Sequence, residues 1–237
     1  ISERPALAGL FGAVIVFVGY LQDAALDYAR CFRRLKSLGI RKAYVLPVYM
    51  ATTADLGDMM GAPLTDLRGH LPLLRELGYL AGSFIYITDG PMEGDTDEGL
   101  RLDRDGKPLL AWRIRDRSWY GYSPEKRGER ARRFLDREHA GLDCVHYDVL
   151  CCVRFQEDHR PSRPSDARDD RERVRELLED TARRGLVISS EGFLDRLTPY
   201  YDIGSVKFSH ALGGEEYCAV PMTMLVYHDS AIHTWWE

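Results

Sequence analysis

The chain alternates amphipathic stretches that end in glycine with short apolar runs that begin just after it. Over 27–38, Tyr28, Cys31, Phe32, Leu35 and Leu38 fall at helical spacing, Gly39 ends the stretch, and AYVLPVY follows from Ala43. A second stretch from about Asp66 aligns Leu67, Leu71, Leu74 and Leu77, stops at Gly78, and leads to GSFIYITD, ending at Asp89. A third, over 125–140, is arginine-rich and less periodic; Gly141 ends it before DCVHYD, which closes on Asp148. The fourth carries the plainest signals. Asp166 can cap it, Asp169 and Asp170 sit in its first turn, and Val174, Leu177, Leu178 and Thr181 form a buried stripe. Arg183 and Arg184 occupy the last turn before Gly185, a charge order that suits the helix dipole. The strand LVISSE follows and ends at Glu191.

Strands that are apolar on both faces, alternating with helices, define an α/β fold with a parallel sheet. The apolar run over 10–19, GSVKFS from Gly204, and VPMTMLVYHD ending at Asp229 raise the count to about seven strands. A closed barrel of this kind has eight strands in roughly 250 residues. The pattern therefore predicts a TIM (β/α)8-type barrel that is incomplete by about one unit, in a single domain over 1–237. A doubly wound open sheet is the runner-up, but neither GxGxxG nor GxxxxGK[ST] is present to support nucleotide binding. Two polar stretches, 91–124 and 154–168, read as long loops after strands, where a barrel builds its active face. The first carries Trp112, Trp119, Tyr120 and Tyr122, and the second Pro161 and Pro164.

Composition narrows the partners. With 237 residues, 45% of them hydrophobic and 29% charged, the chain can bury a sizeable core and is not fibrous or disordered. Its 37 acidic against 32 basic residues leave a net charge of -5, which speaks against nucleic acid as a main partner. The apolar run over 8–20 is shorter than the roughly 18 residues of a membrane span and lacks the flanks of a secretion signal. No membrane association is expected. The first residue is Ile1 rather than Met, so a preceding segment is expected. Cys31, Cys144, Cys151, Cys152 and Cys218 are odd in number and scattered, with no CxxC, and read as reduced thiols that favour a cytoplasmic setting.

Candidate chemistry lies at the strand ends. Asp89, Asp148, Glu191 and Asp229 each close an apolar run, and His146 and His228 stand beside two of them. One such acid simply marks where a strand leaves the core; four at equivalent positions would converge on one polar mouth. Glycoside hydrolysis needs a carboxylate nucleophile and a carboxylic acid, ~5 Å apart in retaining enzymes. Asp148 and Glu191 suit these roles, because their strands are consecutive and a longer Glu beside an anion can deliver a proton. Aromatic residues of 91–124 could then stack on sugar faces. This chemistry requires no cofactor. A metal-dependent hydrolase using His146, His159 and His228 is an alternative, although HxH and HExxH are absent. A carbohydrate-binding barrel without turnover is another.

The stretches HYDVL (146–150), DHRPSR (158–163), GLVISSEGF (185–193) and VPMTMLVYHDSAIHTWW (220–236) resemble the retaining α-N-acetylgalactosaminidases of glycoside hydrolase family 129. They are more distantly similar to the endo-acting family 101. The resemblance covers 141–236 in detail and 1–140 only as a general barrel half. It implies a TIM-like barrel acting on α-linked N-acetylgalactosamine or a related galacto-sugar. It places the nucleophile on Asp148 and the acid/base on Glu191, with His146, His228, Asp229 and Asp89 holding sugar hydroxyls and Trp112 stacking on a ring. Some members bind calcium, with no site assignable to these residues. The family's enzymes carry β-sandwich domains on both sides of the barrel, so the resemblance also implies a catalytic core taken from a longer chain.

Overall fold

The structure, a computed structural model, describes residues 7, 10, 12–18, 27–47, 68–91, 99–114, 117–137, 141–192, 194–206, 226 and 230–235. In chain order its main elements are β1 (Val14–Val18), α1 (Tyr28–Ser37), β2 (Ala43–Pro47), α2 (Leu71–Glu76) and β3 (Leu80–Ile85). Then come β4 (Asp89–Pro91), β5 (Leu110–Ile114), β6 (Arg117–Gly121), α3 (Pro124–Arg137), β7 (Cys144–Tyr147) and α4 (Ala167–Arg183). The last are β8 (Val187–Glu191), β9 (Ile203–Val206) and β10 (Ile232–Trp235). Short 3-10 turns cover Arg68–His70 and Asp195–Tyr200.

Seven of these strands form one sheet in the order β1-β2-β3-β7-β8-β9-β10. Every neighbouring pair is parallel and follows the order of the chain, the winding of a TIM-type barrel rather than of a doubly wound sheet. The sheet curls strongly. Tyr44 on β2 and Ser189 on β8 share a 3.0 Å hydrogen bond although β3 and β7 lie between their strands. On a flat sheet three strand spacings would hold them ~14 Å apart. Gly82 on β3 makes the crossing possible, because a Cβ there would lie 2.5 Å from the Tyr44 ring and 2.8 Å from Leu46. Tyr44, Leu46, Cys144, Val187 and Ile203 fill the interior this creates. The fold is thus an incomplete TIM-type barrel.

A second layer of core lies outside the sheet. Ile85, Val145, Tyr147 and Ile188 point outward and pack against Phe134 and Leu135 of α3 and Val174, Leu177 and Leu178 of α4. Each such Val or Leu contributes ~1.5–3 kcal/mol on burial. The α4 stripe is the one the sequence predicts, and Thr181 continues it. Thr181 donates to the Leu177 carbonyl at 2.9 Å and accepts from the Tyr147 hydroxyl at 2.7 Å, pinning the helix to β7. Asp166 caps α4 through the amides of Arg168 and Asp169, and the Asp169 carboxylate returns the bond to the Asp166 amide. Gly185, at φ 80°, ends the turn after α4 in the left-handed region.

Several expectations change. β3 stops at Ile85, and Asp89 opens β4 instead of closing β3. The stretch 91–124 is no plain loop, since β4, β6 and β5 form a three-stranded antiparallel sheet within it. The last strand among the described residues begins at Ile232, beyond Asp229 in the chain, so Asp229 does not close β10. Of the expected strand over 220–229 only Val226 is among the described residues, and it is helical. His228, Asp229 and Cys218 lie outside them. No helix among the described residues is long and apolar enough to cross a membrane. Cys31, Cys144, Cys151 and Cys152 are free thiols.

Candidate active site

Alternation along a strand decides which residues face the barrel interior. On β7 the inward set is Cys144 and His146, and on β8 it is Val187 and Ser189. The next inward positions are Asp148 and Glu191. The ladder pairs Cys144 with Val187, His146 with Ser189 and Tyr147 with Ser190, and Asp148 and Glu191 are the residues that follow its last pair. Both therefore stand at the C-terminal rim on adjacent strands, half-buried. The Asp148 amide still donates to the Ile85 carbonyl at 3.0 Å, which ties the residue to β3 as well.

The rim between β7 and β8 is locked by backbone geometry. Ser190 donates its hydroxyl to the Tyr147 carbonyl at 2.7 Å and accepts from the Cys151 amide at 3.1 Å. Val149, directly after Asp148, holds φ 46°, a strained value for a β-branched residue. Its carbonyl accepts from the amides of Cys152 and Val153 at 3.1 and 3.2 Å, closing a tight turn. That turn rests on Gly192, where a Cβ would collide with the Cβ of Cys152. Gly192 itself sits at φ 71°. Strain of this kind persists only where surrounding contacts over-determine it, and it is common beside reacting groups. The sequence reading does not include Ser190 or Gly192 in the site; their signal was only their adjacency to Glu191.

Below this rim lies a polar layer. The His146 Nδ1 shares a 2.9 Å hydrogen bond with the Ser189 hydroxyl, and the His146 ring stacks on Phe84 at 4.9 Å between centroids. His146 is 3% exposed. Burial pushes its pKa down to about 3, so the ring is neutral near pH 7.

A second acid acts with Asp148 on Tyr86 and is held mainly by neutral donors. Asp89, 5% exposed, accepts from the Tyr86 hydroxyl at 2.5 Å, from the Trp112 indole N–H at 2.6 Å and from Thr88 at 3.2 Å. Burial raises the Asp89 pKa, and these three bonds and the charge of Arg130 oppose the rise. Tyr86 is held well above its ordinary pKa, chiefly by burial and then by the charges of Asp89 and Asp148. It remains a phenol donor, electrostatically coupled to the candidate nucleophile. Trp112 on β5 stacks on Trp119 of β6 at 5.0 Å and meets Tyr86 edge-on at 6.3 Å. The small antiparallel sheet thus delivers Trp112 to Asp89. Tyr86 is missing from the sequence reading; its period-2 spacing from Phe84 was the available signal.

The stretch 154–168 does a different job. Asp158 is buried, bridges in backbone to Ser165, and holds the Arg160 Nε at 2.8 Å, while Arg160 reaches Glu125 at 2.5 Å. Nearby, Asp170 takes Arg101 at 3.0 Å, Arg127, and the Gln156 amide at 3.0 Å. Burial lowers the pKa of Arg101 to about 10 and that of Arg127 to about 9, where the charge of Arg101 adds to the effect. His159 pairs with Glu157 at 3.0 Å in this stretch, away from the barrel interior that holds His146. Among the described residues no three His, Cys, Asp or Glu side chains converge as ligands for a metal, calcium included.

Parallel strands wound in the order of the chain place it in the class of TIM-type barrels. No family model matches the sequence, and no curated protein matches it. Solved structures do. The α-N-acetylgalactosaminidase NagBb from Bifidobacterium bifidum, ligand-free, is similar with a TM-score of 0.78 at 21% identity, over 98% of this chain and 45% of that one. The same enzyme in its GalNAc complex gives 0.78 at 20% identity, over 98% and 43%. TtGalA, an α-galactosidase from Thermus thermophilus in complex with stachyose, gives 0.56 at 13% identity, over 86% and 45%. The chain spans less than half the length of these structures. At these identities the likeness establishes the fold.

Proposed function

We propose that the protein is a retaining α-glycosidase acting on an α-linked N-acetylgalactosamine or a related galacto-sugar. The observation that carries this reading is that the β7–β8 ladder closes on Tyr147 with Ser190, one residue before Asp148 and Glu191. Neighbouring strands lie ~4.8 Å apart, which puts the ~5 Å carboxyl separation of a retaining pair within reach of the two side chains. The galacto-configured ligands of the similar barrels support the sugar class.

The Asp148 carboxylate attacks the anomeric carbon, the bond to the leaving oxygen breaks, and Glu191 gives that oxygen its proton. The glycosyl ester on Asp148 is then opened by water, which loses a proton to Glu191. The sugar leaves with its α configuration, and both acids return to their starting states. Asp89 accepts from sugar hydroxyls, and the exposed part of Trp112 stacks on a ring. His146, buried beneath the rim, supports Ser189 and through it the strand that carries Glu191. His228 and Asp229 belong to the sugar contacts by resemblance.

The test is turnover of an aryl α-N-acetylgalactosaminide by the parent chain, Asp148→Asn and Glu191→Gln. Turnover should fall by about 10²–10⁴-fold in Glu191→Gln and at least as far in Asp148→Asn. Proton NMR of the first-formed sugar should show the α anomer. A first-formed β anomer, or full turnover in both variants, overturns the reading. Sugar binding with no turnover in the parent chain assigns the fold to a binding module instead.

A further inference from the structure

A cavity of about 810 Å³ is lined by Arg154, Phe155, Arg168, Arg171, Leu194 and Arg196, among others. Its walls leave the rim from the two strands that carry the candidate pair. Arg154 and Phe155 follow the turn after Asp148, and residues 194–196 follow Gly192. The first turn of α4 completes it with Arg168 and Arg171.

Charge sets this cavity apart from the rest of α4. Along that helix Arg173 pairs with Glu176, Arg175 with Glu172 and Glu179, Arg183 with Asp180, and Arg184 with Asp136. In the cavity, Arg171 pairs with Glu172, while the side chains of Arg154, Arg168 and Arg196 have no ion pair among the described residues. Asp195 is the one acid among the described residues of the lining. A chain of net charge -5 thus gathers four guanidinium groups around one hollow. Like charges at this density repel unless an anion joins them. The helix amides are not the receptor, because Asp166 already caps those of Arg168 and Asp169. Recognition would fall to the guanidinium forks, which match carboxylate, sulfate and phosphate oxygens in pairs.

The other wall is apolar. Phe155 and Leu194 are half-buried and pack against the outer core. A bare inorganic ion has no use for such a wall, whereas a sugar ring presents a C–H face to it. We propose that this cavity is an anion subsite for an acidic sugar, a sulfated or carboxylated unit of the glycan cleaved at Asp148 and Glu191. The subsite rests on the glycosidase reading for the glycan's identity, and on the cavity alone for its affinity for the acid.

Calorimetry on the 237-residue chain tests it with galactose 6-sulfate, glucuronic acid, their neutral parents and inorganic sulfate as probes. Arg154→Gln/Arg168→Gln/Arg196→Gln removes the unpaired cations. Arg33→Gln/Arg34→Gln/Arg41→Gln, all exposed and distant in sequence, removes the same net charge as a control. Binding of the acidic sugars should exceed that of their neutral parents, weaken at least tenfold in the cavity variant and hold in the control. It should also weaken as ionic strength rises. Equal loss in both variants, or equal binding of acidic and neutral sugars, overturns the subsite. Binding of inorganic sulfate that the acidic sugars do not displace overturns its assignment to a glycan. Absence of turnover on a neutral aryl glycoside by the parent chain refutes the glycosidase reading separately, with the calorimetry unaffected.

Discussion

Asp89 and Asp170 are both buried aspartates, 5% and 1% exposed, and they are held in opposite ways. Asp170 lies between two buried guanidinium groups, Arg101 and Arg127, with the Gln156 amide on its second oxygen. Asp89 is gripped mainly by neutral donors, the Tyr86 phenol, the Trp112 indole and Thr88, with the charge of Arg130 a lesser influence. The first arrangement neutralises the charge and knots the stretch 99–110 and the loop before α4 onto helices α3 and α4. The second leaves an acid held by neutral groups, one of which, Tyr86, also feels the charge of Asp148. A buried acid that is paired with cations marks architecture; one held by neutral donors at a rim is available to a ligand.

Breaking the ionic knot should have the largest effect. Asp170→Ala leaves Arg101 and Arg127 buried without their carboxylate, and removal of one partner from such a cluster costs about 3–5 kcal/mol. Urea denaturation should show a fall of that order, and a fall below 1 kcal/mol would show that the knot carries no stability. Asp89→Asn should do the reverse. Its amide oxygen can still accept from Tyr86 and Trp112, so the urea midpoint should move little. Loss of a charged acceptor to a sugar hydroxyl, about 1.5–3 kcal/mol, should cut kcat/KM roughly 10–100-fold. A large stability loss with unchanged kcat/KM would put Asp89 with Asp170 among the architectural acids.

The third effect, that of pH on His146, is small near neutral pH and grows as pH falls. Its folded pKa, about 3, lies below its unfolded value, so between the two the unfolded chain binds the extra proton. Stability from this group is complete above the unfolded pKa and is lost as pH falls toward the folded one. The slope is at most about 1.4 kcal/mol per pH unit. His146→Asn should flatten the urea midpoint between about pH 6.5 and pH 3. An unaltered pH profile would mean that the ring is not held neutral in the fold.

Much of the barrel is legible in the chain because helix period, capping residues and terminal glycines are local signals. The repeat locates α1, α4 and strands β2, β7 and β8, and Asp166 caps α4 as its neighbours require. The acids Asp148 and Glu191 are legible for the same reason: each closes an apolar run. The small sheet of β4, β5 and β6 is not, since its polar, aromatic strands carry no periodic apolar face. β10 begins at Ile232, after the apolar run over 220–229, of which only Val226 is among the described residues. Asp170 reads as a first-turn acid serving the helix dipole, and only the packing of Arg101 and Arg127 around it reveals a buried knot.

What the sequence alone determined is therefore the alternation of strand and helix, and the identity of two acids at strand ends, because both follow from neighbours within a few residues. The tertiary structure decided which strand ends stand together. A parallel register joins residues 43 positions apart by backbone bonds, as in Tyr147 with Ser190, and no local pattern encodes that pairing. It also decided which charges are already satisfied, because a guanidinium neutralises only the carboxylate it touches, whatever their separation along the chain.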